Sequence, residues 1–191
     1  MTDPTVIDWL AGLFPVVPSP RKPVTVLFTD IEGFTTHAAA RGDRAAMRLL
    51  RAHDAAVLPA VRRHMGRILK RLGDGAMVLF PSPQDALAAA LAMQRAARIQ
   101  LRIGIHTGQA RSRAGDLIGH AVNVASRVAD RARGGEILVS STVREGSAGL
   151  AARFRRARPL IIAGGPPIAL FTAVSVVSTR SSEPGSEAGQ T

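Results

Sequence analysis

Short β-branched and apolar runs alternate along this chain with longer stretches of helical spacing, and segments rich in glycine, proline or charge separate them. Val24 to Thr29 (V-T-V-L-F-T) predicts a central strand. From Thr36 to about His64 the spacing is helical, with Leu49, Leu50, Val57, Val61 and Met65 on one side. Pro59 predicts a kink or division there, and Gly66 the C-terminal stop. Ile68-Leu69 and Ala76 to Phe80 flank Gly73-Asp74-Gly75, which predicts a β-hairpin over Arg67 to Phe80, since glycines beside an acid supply the positive φ of a tight turn. Gln84 to Arg98 reads as an amphipathic helix burying Leu87 and Leu91, with Met93 as core filler.

Leu101 to His106 predicts a strand with Arg102 and Gly104 on one face. A turn at Thr107-Gly108 lets Gln109 to Arg113 pair back, and Gly115 to Gly119 reads as a loop. Ala121 to Arg133 is a helix closed by Gly134-Gly135, and Asn123 and Arg127, four apart, project together from it. Ile137 to Ser140 is a strand, Thr142 to Glu145 suits a capping box, and Phe154 to Ile162 with Ile168 to Val177 make the last strands. The fold class is therefore α+β, with a ferredoxin-like βαββαβ core and a C-terminal βαββ extension.

With 191 residues, 46% of them hydrophobic, the chain suits one domain with tails. Residues 1–22, proline-rich toward their end, read as an extension and linker, 23–177 as the folded domain, and 178–191 as a disordered tail. No cysteine is present, which excludes disulfides and thiolate metal sites. No secretory signal is visible, and Gly164-Gly165-Pro166-Pro167 interrupts the one uncharged stretch long enough to span a bilayer, so a cytoplasmic protein without a transmembrane segment is expected. The net charge of +11 favours a polyanionic partner. Six Phe, one Trp and no Tyr offer few stacking platforms, which argues against nucleic acid.

Candidate chemistry sits on two acids. Asp30 ends the first strand and precedes Ile31-Glu32-Gly33-Phe34-Thr35, where a helix opens. Free N–H groups at such an end suit phosphate oxygens while the carboxylate holds a cation; the alternative is that Asp30 merely caps the helix. Asp74, at the hairpin tip, is either a turn former or a second cation ligand. On neighbouring antiparallel strands the two carboxylates can converge on a pair of divalent ions about 3.5–4 Å apart, and oxygen-only ligands favour Mg²⁺ or Mn²⁺.

F-T-D-I-E-G-F-T (Phe28 to Thr35), K-R-L-G-D-G (Lys70 to Gly75), R-I-G-I-H-T-G (Arg102 to Gly108) and N-V-A-S-R (Asn123 to Arg127) resemble, in order and spacing, the class III nucleotidyl cyclase catalytic domain. The resemblance runs from about Pro23 to Val177. It implies that Asp30 and Asp74 bind the two metals, with the Ile31 carbonyl as a backbone ligand. Gly33, Phe34 and Thr35 would then meet phosphate. Lys70 and Asp116 match the base-selecting pair, Asn123 the ribose-orienting asparagine, Arg127 the transition-state arginine and Arg102 a triphosphate contact. Lysine and aspartate at the base positions imply ATP as substrate, cyclic AMP and pyrophosphate as products, and a homodimer with two shared active sites. A guanylyl cyclase, a catalytically weak homologue and a basic nucleic-acid-binding domain are the alternatives. One departure stands out: Ile162 occupies the position where the family has a phosphate-binding lysine.

Overall fold

The computed structural model describes residues 23–113 and 116–176. Its first strand, β1 (Val24–Ile31), pairs with β3 (Gly75–Phe80) on one side and β4 (Leu101–Gly108) on the other. Helix α1 (Phe34–Arg63) and β2 (Arg67–Leu72) lie between β1 and β3 in sequence, and α2 (Pro83–Ala96) between β3 and β4. These six elements form the expected βαββαβ core. A small hairpin, β5 (Arg111–Arg113) with β6 (Asp116–Ile118), and helix α3 (His120–Arg131) follow. Then β7 (Ile137–Ser140), α4 (Ser141–Glu145), β8 (Ala152–Leu160) and β9 (Ile168–Ser175) supply the expected βαββ extension. The large sheet runs β2-β3-β1-β4-β7-β9-β8, antiparallel throughout except for the β4–β7 pair.

Strand alternation sorts the residues of β1 onto two faces. Leu27 and Ile31 face the core under α1 and α2, packing with Val57, Val61, Leu87 and Met93. Val24 and Val26 face the opposite layer, packing with Ala121 and Ala125 of α3. A third cluster joins Val124 and Val128 of α3 to Leu138, Leu160 and Leu170. Each fully buried Leu or Ile, such as Leu27, Ile103 and Ile105, contributes roughly 1.5–3 kcal/mol of apolar burial. The α3 layer can sit this close because Gly104 lacks a side chain: a Cβ there would lie 2.1 Å from the Ala129 nitrogen.

Several expectations change. The break in α1 falls at Gly42, in a non-helical conformation, while Pro59 lies inside continuous helix. Met65 is 70% exposed and takes the left-handed conformation expected of Gly66. Gly66 still closes the helix, its N–H returning to the Val61 carbonyl at 2.8 Å. Thr107 and Gly108 belong to β4 rather than to a turn, and Arg111–Arg113 pairs with Asp116–Ile118, which is a strand and not a loop. No capping box forms at α4: its N-cap is Ser140, whose Oγ instead bonds the Oγ1 of Thr142 and His106 Nδ1, each at 2.9 Å. Residues 1–22 and the tail from 178 lie outside the described residues.

Candidate active site

The β2–β3 hairpin sets the geometry. Its turn consists of Gly73 and Asp74, with Leu72 opposite Gly75. A Cβ on Gly75 would come within 2.2 Å of the Thr29 carbonyl, so glycine lets the hairpin lie against β1 next to Asp30. Asp74 is half-buried, and its Oδ2 accepts the Ile31 N–H at 3.2 Å. It is therefore oriented by β1 rather than simply open to solvent.

Asp30 lies inside β1, one residue before its end, directly across from Arg102 on β4. The two make a bidentate pair, Nε to Oδ1 at 2.8 Å and an Nη to Oδ2 at 2.7 Å. Both are about three-quarters buried, and Glu32 stands 3.8 Å from the same guanidinium. Burial, helped by the charges of Asp74 and Asp130, raises the Asp30 pKa against the lowering effect of the Arg102 bond and charge. The Asp30 bond raises the pKa of Arg102 in turn. Asp30 does not cap α1, whose N-cap is Gly33 with no side-chain bond, so Phe34 and Thr35 open the helix with no side chain on their amides. Phe34 also packs on the core.

Asp30 and Asp74 line one cavity of about 190 Å³ together with Ser126, Ala129 and Asp130 of α3. Asp130, which belongs to none of the four motifs, thus stands beside the two acids; it lies one helical turn after Ser126, which lines the same cavity. Among the described residues no three His, Cys, Asp or Glu groups lie close enough to enclose a metal by themselves. Two convergent carboxylates with all-oxygen chemistry nevertheless fit Mg²⁺ or Mn²⁺, which commonly complete their shells with water and substrate phosphate. Each Asp30 oxygen keeps a lone pair beyond its Arg102 bond.

The remaining candidates form separate pairs. Lys70 Nζ donates to Asp116 Oδ2 at 2.5 Å, and this bond, with the Leu117 N–H, lowers the Asp116 pKa. A bulge between Ile68 and Lys70 produces that meeting. It sets Lys70 opposite Met77, whose side chain packs in the α3 layer, and Arg71 opposite Ala76, which faces α1. Asn123 and Arg127 meet on α3, Nε to Oδ1 at 3.2 Å, both exposed. None of these four residues lines the Asp30–Asp74 cavity. Ile162 packs with the third core cluster.

One group escaped sequence reasoning. His53, only 2% exposed, places Nδ1 3.2 Å from Asp54 Oδ1, and Arg71 donates to the same oxygen. Burial lowers the His53 pKa. At Asp54 burial works toward a higher value, but the Arg71 and His53 bonds prevail and the pKa falls.

Residues 16–166 match the family model described as adenylate and guanylate cyclase catalytic domain. The chain belongs to that family. It is 36% identical over 138 residues to a pH-sensitive adenylate cyclase of Mycobacterium tuberculosis, covering 68% of this chain and 33% of that protein. It is 33% identical over 137 residues to putative adenylate cyclase 3 of Rhizobium meliloti, covering 65% and 23%. The chain thus spans a third or less of these relatives. Among solved structures it resembles the adenylyl cyclase CyaB from P. aeruginosa, with 25% identity, TM-score 0.70 and coverage of 82% and 96%. It resembles the guanylyl cyclase Cya2 to the same degree, with 25% identity, TM-score 0.70 and coverage of 84% and 95%. Among the described residues, no helix is long and apolar enough to cross a membrane.

Proposed function

We propose that this domain is an adenylyl cyclase, converting ATP to 3′,5′-cyclic AMP and pyrophosphate in a homodimer with two shared sites. The observation that carries the reading is the Lys70–Asp116 contact, a donor and an acceptor held side by side. Adenine presents an acceptor at N1 and a donor at N6, so Lys70 and Asp116 can each exchange their mutual bond for one to the base. Guanine has the opposite polarity at N1 and O6 and would leave both unpaired, which a site of this kind penalises.

Separation of the residues supports the dimer. Lys70, Asp116, Asn123 and Arg127 do not line the Asp30–Asp74 cavity of their own chain. A two-fold partner that brings its set to this cavity, and receives this chain's set in exchange, makes two equivalent sites.

In the reaction the ribose 3′-hydroxyl gives up its proton to water, its oxygen attacks the α-phosphorus in line, the bond to the oxygen bridging the α- and β-phosphates breaks, and pyrophosphate leaves. Asp30 and Asp74, with the Ile31 carbonyl, would hold Mg²⁺ or Mn²⁺, which supplies Lewis-acid activation of the 3′-hydroxyl and charge neutralisation on the triphosphate. The amides of Gly33, Phe34 and Thr35 and the Arg102 guanidinium bind phosphate oxygens. Asn123 orients the ribose. Arg127 offsets the charge that grows on the α-phosphoryl group, so its loss lowers turnover more than binding.

The test is cyclic AMP and cyclic GMP formation by purified protein with Mn²⁺ or Mg²⁺, with Asp30→Ala as control. Cyclic AMP that disappears in the control supports the nucleotide and the metal roles together. Cyclic GMP as the main product, or no product from a verified dimer, would refute the reading.

A further inference from the structure

The Gly73-Asp74-Gly75 turn has a cavity on each side. One is the site cavity; the other, about 250 Å³, is lined by the turn together with Leu50, His53, Asp54 and Arg71. The turn is therefore not packed firmly against α1, and polar ties add to the strand pairing that positions it. From β1 the Ile31 N–H reaches Asp74. From α1 the only side-chain hydrogen bond to the hairpin, among the described residues, is Arg71 to Asp54.

An exposed ion pair ordinarily holds little, because water competes for both charges. Asp54 and Arg71 are 40% and 46% exposed, yet this pair has a buried anchor. Asp54 Oδ1 also faces His53 Nδ1. A carboxylate only accepts, so Nδ1 carries the ring hydrogen and fixes that oxygen from behind. Nε2 is then a lone-pair acceptor, buried with no partner among the described residues. An arrangement that leaves a polar atom unsatisfied is a poor device for stability alone, but it does aim one carboxylate oxygen at Arg71, three residues before Asp74.

We propose that Asp54 is a positioning residue: backed by His53, it holds Arg71 and thereby sets the turn that presents Asp74 to the divalent ion. This rests on the proposed metal role of Asp74. Asp54 touches neither substrate nor metal in this scheme, and Leu50, His53 and Arg71 serve the same support.

Asp54→Asn in the full chain is the test, with Asp54→Glu as the charge-retaining comparison. Three quantities are read: amide hydrogen exchange of residues 71–76 without nucleotide, Mn²⁺ binding followed by electron paramagnetic resonance, and the Mn²⁺ dependence of cyclic nucleotide formation. Asp54→Asn is expected to speed exchange in the turn about tenfold. It should weaken Mn²⁺ binding about three- to tenfold while KM for ATP at saturating Mn²⁺ and the melting temperature hold. Asp54→Glu should recover part of the loss. Unchanged exchange in the turn overturns the proposal, as does faster exchange across the whole domain with a fallen melting temperature, which would make Asp54 a general support. Should the wild type form no cyclic nucleotide, the proposed activity fails, while the exchange and Mn²⁺-binding arms still decide the role of Asp54.

Discussion

The two edges of the seven-stranded sheet are both basic, yet they use their charge differently. On β2, Lys70 and Arg71 each reach an acid on another element, Asp116 on β6 and Asp54 on α1. On β8, Arg153, Arg155, Arg156 and Arg158 are exposed, and none makes an ion pair or side-chain hydrogen bond among the described residues. The connections differ too: β2 turns into β3 through Gly73 and Asp74 alone, whereas residues 161–167 join β8 to β9. A paired charge fixes where a strand and its turn lie. Unpaired arginines on an edge strand keep the edge solvated and discourage pairing with another sheet. Local charge density therefore does not locate chemistry; partners do.

That contrast can be tested directly. The largest effect is expected from Asp74→Ala, which removes one of the two carboxylates proposed to hold the divalent ion. Cyclic nucleotide formation should fall more than about 100-fold, with the cooperative melt of the domain retained. Comparable loss from β8 substitutions would erase the distinction between the edges.

Next comes Lys70→Met. Charge-assisted hydrogen bonds are worth about 1.5–3 kcal/mol, so kcat/KM for ATP should drop on the order of tenfold to a hundredfold. A change of less than twofold would detach Lys70 from base recognition.

Between the edges, at the β4–β7 junction, His106 is buried against Ser140, and burial, with the nearby His120, pushes its pKa down to about 4 from 6.5. The folded protein thus keeps it neutral while the unfolded chain takes up a proton. Stability from this group is complete above about pH 6.5 and is lost as pH falls toward 4, by roughly 3 kcal/mol. Urea unfolding from pH 7 to 4.5 should show that loss, and His106→Gln should flatten it. This term acts on the sheet centre and leaves the edge comparison intact.

The smallest effect is expected from Arg155→Gln combined with Arg156→Gln. With no partner to lose, stability should move by less than about 0.5 kcal/mol and turnover by less than twofold. A larger fall in turnover would show that β8 arginines reach the triphosphate and offset the lysine missing at Ile162.

Much of this was legible in the residues. The β-branched run Val24 to Thr29, helical spacing around Val57 and Val61, and Gly73-Asp74-Gly75 identify β1, α1 and the hairpin, because each pattern reports a local propensity, a local period or a local φ requirement. Placement of the α1 kink at Pro59 failed because the adjacent helix tolerates that proline, whereas Gly42 breaks the helical conformation. The β5–β6 hairpin was half seen: Gln109 to Arg113 was expected to pair, but its partner is a segment read as a loop. His53 carried only a burial signal: it lies four residues after Leu49 and four before Val57, on the apolar side of α1, but spacing does not show that Asp54 and Arg71 join it.

The residues alone carry the βαββαβ order, the absence of thiolate chemistry, and the four recurrent motifs from which the candidate site residues are read. Those are properties of residue type and spacing. Which residues meet depends on the folded arrangement. The bulge before Lys70 turns that lysine toward Asp116 and hands the α1 side to Arg71; in an unbulged strand Lys70 would fall opposite Ala76. Asp130 enters the site cavity because Gly104 lets α3 close on β4. Register and approach distance arise from long-range packing, and neither is written in any single stretch of the chain.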